Sequence, residues 1–175
     1  MARRDEPAPP PRPRNGRGQG SRLRGELLEA AMRVLDHSAS ADLTLRDVAR
    51  EAGVSPQAVY AHFTGRQDLT HEVVRLCWQQ VADEMNRAAL RARSKPAYDR
   101  IRAQLQAYLR YAMKSPARYQ LLFGLRPELA GPDAVRMRPA EPATVGLLRD
   151  VEAIHAEEGP LPDGLDPTDA TVLLL

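Results

Sequence analysis

The stretch GVSPQAVYAHF, residues 53 to 63, constrains this chain more than any other. Gly53 permits the left-handed backbone that ends a helix abruptly, Ser55 is a capping residue, and Pro56 suits the first position of the next helix. Two helices are therefore predicted within about four residues of each other. The segment LTLRDVAREAG supplies the first. Thr44 followed by Asp47 resembles a capping box, Leu45, Val48, Ala49 and Ala52 form one apolar face, and Gly53 sits where a C-cap glycine belongs. In the second helix Val59 and Phe63 turn inward, leaving Pro56, Gln57, Tyr60 and Ala61 on the outward side, with Val54 plugging the gap between the helices. A short helix held at a fixed angle with a nearly bare outer face is shaped for insertion. The major groove of DNA, about 12 Å wide, admits one helix.

The rest of the chain reads as further helices. Leu27, Ala31, Val34 and Leu35 recur at helical spacing between Ser21 and His37, and the run from Ser38 to Asp42 breaks that helix. Arg66 to Arg93 contains neither glycine nor proline, and Leu69, Val73, Leu76 and Cys77 mark the apolar stripe of a long fourth helix. Pro96 starts a fifth, with Ile101, Leu105, Tyr108, Leu109 and Ala112 as its apolar positions. Ser115 and Pro116 repeat the cap-then-proline signal and open a short sixth helix carrying Tyr119, Leu122 and Phe123 to Gly124. The span Arg126 to Pro142 holds Pro127, Gly131, Pro132 and Pro139 and is expected to be a loop or a broken helix. Leu147, Leu148, Val151 and Ile154 define a seventh helix stopped at Gly159 and Pro160. Asp166 to Asp169 opens another that reaches only to Leu175, so the expectation is a C-terminally truncated bundle or a stub buried against a partner. No strand-like alternation competes, and the fold class expected is all-α.

Charge is unevenly placed. Arg3, Arg4, Arg12, Arg14, Arg17, Arg22 and Arg24 face only Asp5 and Glu6 in the first 24 residues, so the N-terminal end is the one to meet a polyanion. Residues 1–20, rich in Pro, Gly and Arg, are expected to be a disordered leader, either merely solvated or an arginine arm on DNA. No apolar run approaches the ~18 residues of a membrane span, and no apolar stretch follows the first charges as in a secretory signal, which points to the cytoplasm.

Catalytic chemistry is hard to assemble. The chain has no phosphate loop, no metal cluster, and no nucleophile with a base and an acid, so neither an enzyme nor a cofactor is expected. His37, His71 and His155 lack ligand spacing, and Glu157 and Glu158, adjacent on a helix, point apart. The single cysteine, Cys77, rules out an intrachain disulfide and reads as a small buried apolar residue. Trp78, Tyr108, Met113, Tyr119, Leu122 and Phe123 are candidates to line an apolar effector cavity between the fourth, fifth and seventh helices, with plain core packing as the alternative.

The run LTLRDVAREAGVSPQAVYAHFTGRQDL resembles the N-terminal signature of the TetR family of bacterial transcriptional regulators. It covers the first three helices and the start of the fourth closely; the remainder is similar only in helix order, although SPARYQLLF looks like the sixth-helix region of one subgroup. The resemblance implies a helix-turn-helix DNA-binding domain at 21–66 joined to a helical effector-binding and dimerisation domain at 67–175. It implies a homodimeric repressor that leaves its double-stranded DNA operator when a small molecule binds. Carried over by position, Pro56, Gln57 and Ala61 would face the groove, with Gln57 contacting a base edge. Thr44, Arg46, Tyr60, His62 and Arg66 would hold phosphates. The competing reading is a helical ligand- or protein-binding module that keeps these helices only as scaffold; Arg46 and Arg66, flanking the short helix, favour DNA.

Overall fold

A computed structural model describes residues 19–123, 141–161 and 164–174. Among these residues eight α-helices follow one another: α1 (Gln19–Asp36), α2 (Leu45–Ala52), α3 (Pro56–Tyr60), α4 (Arg66–Arg91), α5 (Ala97–Lys114), α6 (Pro116–Phe123), α7 (Glu141–Glu158) and α8 (Pro167–Leu173). Among the described residues there is no strand, and no helix is long and apolar enough to cross a membrane. The leader up to residue 18 and most of the proline-bearing span between α6 and α7 lie outside the described residues.

Helix order follows the sequence pattern, and several ends differ from expectation. Gln19 and Gly20, assigned to the leader, form the start of α1. α7 begins at Glu141, inside the expected loop, because Pro142 falls in the first turn, where its missing N–H has no helical partner to lose. α4 stops at Arg91 rather than Arg93, and Pro96 is the residue before α5 rather than its first. α3 is a single regular turn and a half, followed by His62 and Phe63, whose N–H groups both donate to the Val59 carbonyl at 2.9 and 3.0 Å. Between α1 and α2 the chain turns without glycine. Ser40 N–H donates to Ser38 Oγ at 3.1 Å and Asp42 N–H to Ser40 Oγ at 3.0 Å, so side-chain hydroxyls satisfy the backbone there.

α4 is the axis of the molecule: it packs on α1 at one end and on α5, α6 and α7 further along. Leu27, Leu35, Val48, Val59, Phe63, Leu69, Val73, Val81, Met85, Leu147 and Val151 belong to one buried cluster that runs through all of these elements. Each such side chain contributes about 1.5–3 kcal/mol when removed from water, so this cluster is the main source of stability. Cys77 lies in it, with Sγ 3.7 Å from Met32 Sδ, and burial pushes its thiol up to about 11.

The buried face of α5 differs from the apolar positions read from the sequence. Leu109 is exposed, and Leu105 and Ala112 are only half-buried, whereas Gln104 is fully enclosed between Ile101 and Tyr108. Gln104 is placed there by Asp150 of α7, itself buried, which accepts from Gln104 Nε2 at 2.7 Å and from Arg100 Nε at 2.8 Å. A glutamine answered by a buried carboxylate thus enters the core at the α5–α7 contact, where apolar periodicity names the neighbouring Leu105.

Candidate nucleic-acid interface

The tight connection between α2 and α3 is built wholly from local chemistry. Thr44 Oγ1 accepts from Asp47 N–H at 3.1 Å, opening α2 with the expected cap. Gly53 has φ 67° and ψ 29°; its N–H donates to Arg50 O at 3.2 Å and Val54 N–H to Ala49 O at 3.0 Å. This paired arrangement satisfies the last carbonyls of α2 and requires a left-handed residue, which glycine adopts without a Cβ penalty. Ser55 Oγ then accepts from Ala58 N–H at 3.3 Å, and Pro56 occupies the first turn of α3.

α3 is held by two buried anchors, Val59 and Phe63, both with no exposed surface. Its other side faces solvent: Pro56, Gln57 and Ala61 are exposed, and Tyr60 is 59% exposed despite its aromatic ring. Thr44 and Arg46 at the start of α2 and Arg66 at the start of α4 are exposed as well, while His62 is half-buried, its ring beside Gly20 of α1. Two polar groups are already engaged. The Thr44 hydroxyl donates to Asp47 Oδ2, and an Arg66 nitrogen lies 3.1 Å from Asp42 Oδ1 in an exposed pair that is worth little in water.

Sequence reasoning missed what fixes α3 relative to α1 and α4. The Arg24 guanidinium lies over the Phe63 ring, 4.9 Å from its centroid, and a nitrogen of the same group is 3.5 Å from a Glu72 oxygen. Arg33 pairs with Glu51 at 2.8 Å and ties α1 to α2 in the same way. The seven-residue-scale patterns that reveal helices carry no signal for such distant pairs.

The six residues expected around an apolar cavity have a different arrangement. Trp78 and Phe123 meet edge to face with centroids 5.7 Å apart, Tyr108 and Tyr119 do so at 6.0 Å, and Tyr119 and Phe123 pack at 4.9 Å. Leu122 is buried, and Met113 is 73% exposed. The four rings thus pack on one another in the edge-to-face and tilted contacts that aromatic side chains prefer. Burial and the hydrogen bond to Tyr119, 3.4 Å between hydroxyl oxygens, hold Tyr108 well above the usual phenol range. Among the described residues no group of three His, Cys, Asp or Glu could hold a metal ion.

Comparison with known proteins agrees with this geometry. Residues 27–73 match the family described as bacterial regulatory proteins, tetR family, and residues 101–175 match a tetracyclin repressor-like C-terminal domain. An HTH-type transcriptional regulator BetI of Agrobacterium fabrum is 35% identical over 69 residues, 39% of this chain and 34% of that protein. BetI of Brucella canis is 34% identical over 80 residues, 46% of this chain and 39% of that protein. The matched part therefore spans little more than a third of these curated relatives. A solved protein of unknown function from Rhodococcus sp. RHA1 superimposes with TM-score 0.67 at 26% identity, covering 87% of this chain and 76% of that one. A TetR family transcription regulator from Marinobacter aquaeolei VT8 shares the fold, with TM-score 0.60 at 23% identity over 81% of this chain and 72% of its own. With a capped α2, a left-handed turn and an exposed α3 inside the first matched region and most of α5 with α6, α7 and α8 inside the second, the chain belongs to the TetR family of bacterial regulatory proteins.

Proposed function

We propose that this protein is a DNA-binding transcriptional regulator, a repressor that a small-molecule effector releases from its operator. The observation that carries the reading is the exposed face of α3, presented by two buried anchors and flanked by Arg46 and Arg66. In this reading α3 enters the major groove, where the Gln57 carboxamide donates to and accepts from a base edge, and Pro56 and Ala61 allow close approach. Arg46, Arg66, His62, Tyr60 and the Thr44 turn contact phosphates and set the register without reading sequence. Arg66 reaches phosphate by exchanging its exposed contact with Asp42 for a charge-assisted one.

Residues 21–66 form the DNA-reading unit and 67–175 the effector and dimer-forming unit. Two copies present two α3 helices to half-sites about 34–36 Å apart on one side of the duplex. The molecule works in the bacterial cytoplasm, where its operator is, and binds ligands without transforming them.

The test is selection of random duplex DNA by the purified 175-residue chain at two salt concentrations. A palindromic site with affinity falling steeply as salt rises supports a dimeric, sequence-reading regulator. Absence of sequence preference, or binding insensitive to salt, overturns it and leaves a helical module that keeps α2 and α3 as scaffold.

A further inference from the structure

Besides the continuous α4, α6 joins the bundle to the three N-terminal helices, because it packs on α1. α6 itself is bound to the bundle: Tyr119 meets Tyr108 of α5, and Phe123 meets Trp78 of α4, ring to ring. α1 in turn is bound to the short helices. Its Arg33 pairs with Glu51 of α2 at 2.8 Å, and its Arg24 lies over Phe63, an anchor of α3. The angle at which α3 stands on the bundle therefore depends on how α6 holds α1.

The polar part of that contact centres on one side chain. Arg118 of α6, only 13% exposed, reaches the C-terminal end of α1, where one guanidinium nitrogen donates to the Asp36 carboxylate and, at 3.3 Å, to the Met32 carbonyl. The other terminal nitrogen donates to Gln80 Oε1 of α4 at 2.9 Å. Ser115, just ahead of α6, donates its hydroxyl to the second Asp36 oxygen at 3.4 Å. The Tyr111 hydroxyl of α5, beside Cys77, stands against the same guanidinium, so α1, α4, α5 and α6 meet at one charge. Apolar contact between helices is non-directional, whereas a planar guanidinium with its donors in a fixed fork holds direction as well as distance. A cation at this end of α1 also meets the negative end of the helix dipole.

We propose that Arg118, through Asp36, is a brace that fixes the angle of the DNA-reading unit on the bundle and so sets how strictly the dimer demands one spacing between its half-sites; this rests on the reading of α3 as the groove-entering helix of a dimer. Arg118 is a positioning residue in this role, since it acts through α1 and not on DNA. A half-site displaced by one base pair moves about 3.4 Å along the duplex and about a tenth of a turn around it. A braced head meets it with α3 aimed elsewhere. With the brace cut, α1 is free to tilt on α6, and each head follows its half-site.

The experiment compares the full chain with Asp36→Asn, which keeps the size of the side chain and removes its charge, and with Arg118→Gln. Asp150→Asn, which weakens a buried pair between α5 and α7, is the control for lost stability. Each protein is titrated with duplexes carrying the selected palindrome at its own spacing and with the same half-sites moved closer or apart by one and two base pairs. The readout is the ratio of affinities between the selected and the displaced spacings, in which any loss of folded protein cancels. The parent and Asp150→Asn should lose about tenfold or more in affinity per base pair of displacement, and Asp36→Asn and Arg118→Gln about threefold or less. Should Arg118→Gln fail to fold, Asp36→Asn alone decides. An unchanged ratio in Asp36→Asn or in folded Arg118→Gln, or a ratio reduced as much in Asp150→Asn, overturns the brace. A parent that reads only single half-sites, or accepts every spacing, also overturns it while leaving sequence reading intact. A parent with no sequence preference at all is instead failure of the regulator reading, and the brace falls with it.

Discussion

Arg24 of α1 lies over the ring of Phe63, 4.9 Å from its centroid, and reaches Glu72 of α4 at 3.5 Å. One side chain therefore joins three helices at the end of the exposed α3. Arg24→Ala is expected to cost about 1 kcal/mol of stability, the scale of a partly desolvated cation–π contact with a weak ion pair added. Urea unfolding measures this directly. An unchanged midpoint would mean that the guanidinium is merely resting on the ring.

Gly53 has space for a side chain but not the backbone for one: nothing lies within 4 Å of an added Cβ, and φ is 67°. Gly53→Ala should lower stability by roughly 1–2 kcal/mol through backbone strain alone. Gly53→Asn should recover part of it, since asparagine tolerates the left-handed region. Denaturant titration of both variants distinguishes this from a steric effect, which asparagine would worsen.

Asp150 carries a side chain only 2% exposed and answers both Arg100 and Gln104. Asp150→Ala leaves a guanidinium and a buried carboxamide without their acceptor, and a loss of about 3 kcal/mol is expected. Replacing Arg100 and Asp150 together by apolar residues should cost less than the single change, which a double-mutant cycle would read.

Tyr60→Phe is expected to weaken operator binding by about 1 kcal/mol, the scale of one hydrogen bond to a charged group. Arg46→Ala should weaken binding to all sequences alike and reduce the salt slope by about 1. Both residues are exposed, so melting temperatures should stay put while affinities in a salt series change. A Tyr60→Phe variant that melts lower and binds equally well would place the hydroxyl in the protein's own structure.

How much of this could be read from the chain depends on distance along it. The α2–α3 connection was legible because Thr44, Gly53, Ser55 and Pro56 each act within a few residues of themselves. Gln104 was not, since only Asp150, 46 residues away, makes a buried carboxamide sensible there. Trp78, Tyr108, Tyr119 and Phe123 were named from the sequence as candidates to line an effector cavity, and their rings meet one another in the structure. Whether rings enclose a space or fill it depends on angles between helices, which periodicity does not encode.

Burial raises Cys77 to about 11, and it also raises Tyr108 and Tyr111. For each, the folded state prefers the neutral form, so the unfolded chain loses its proton first as pH rises. Stability held in full below about pH 9 should therefore decline from there upward, as Cys77 ionises only in the unfolded chain between about 9 and 11. Thiol titration at pH 8 should find no reactive thiol in the folded protein and one after urea is added. Prompt labelling of the native protein would contradict the burial of Cys77.

α4 contributes to both halves of the molecule: Leu69, Val73, Val81 and Met85 belong to a single buried cluster that also holds Val48 and Val59 of the short helices and Leu147 and Val151 of α7. Among the described residues that shared cluster leaves no seam at which heat could part the two. Unfolding should be one all-or-none event, with slowly exchanging amides in α1 and α7 giving way at a common free energy. A substitution deep in the bundle then lowers the population of intact α3 as surely as one beside it, so loss of regulation by itself does not locate a lesion.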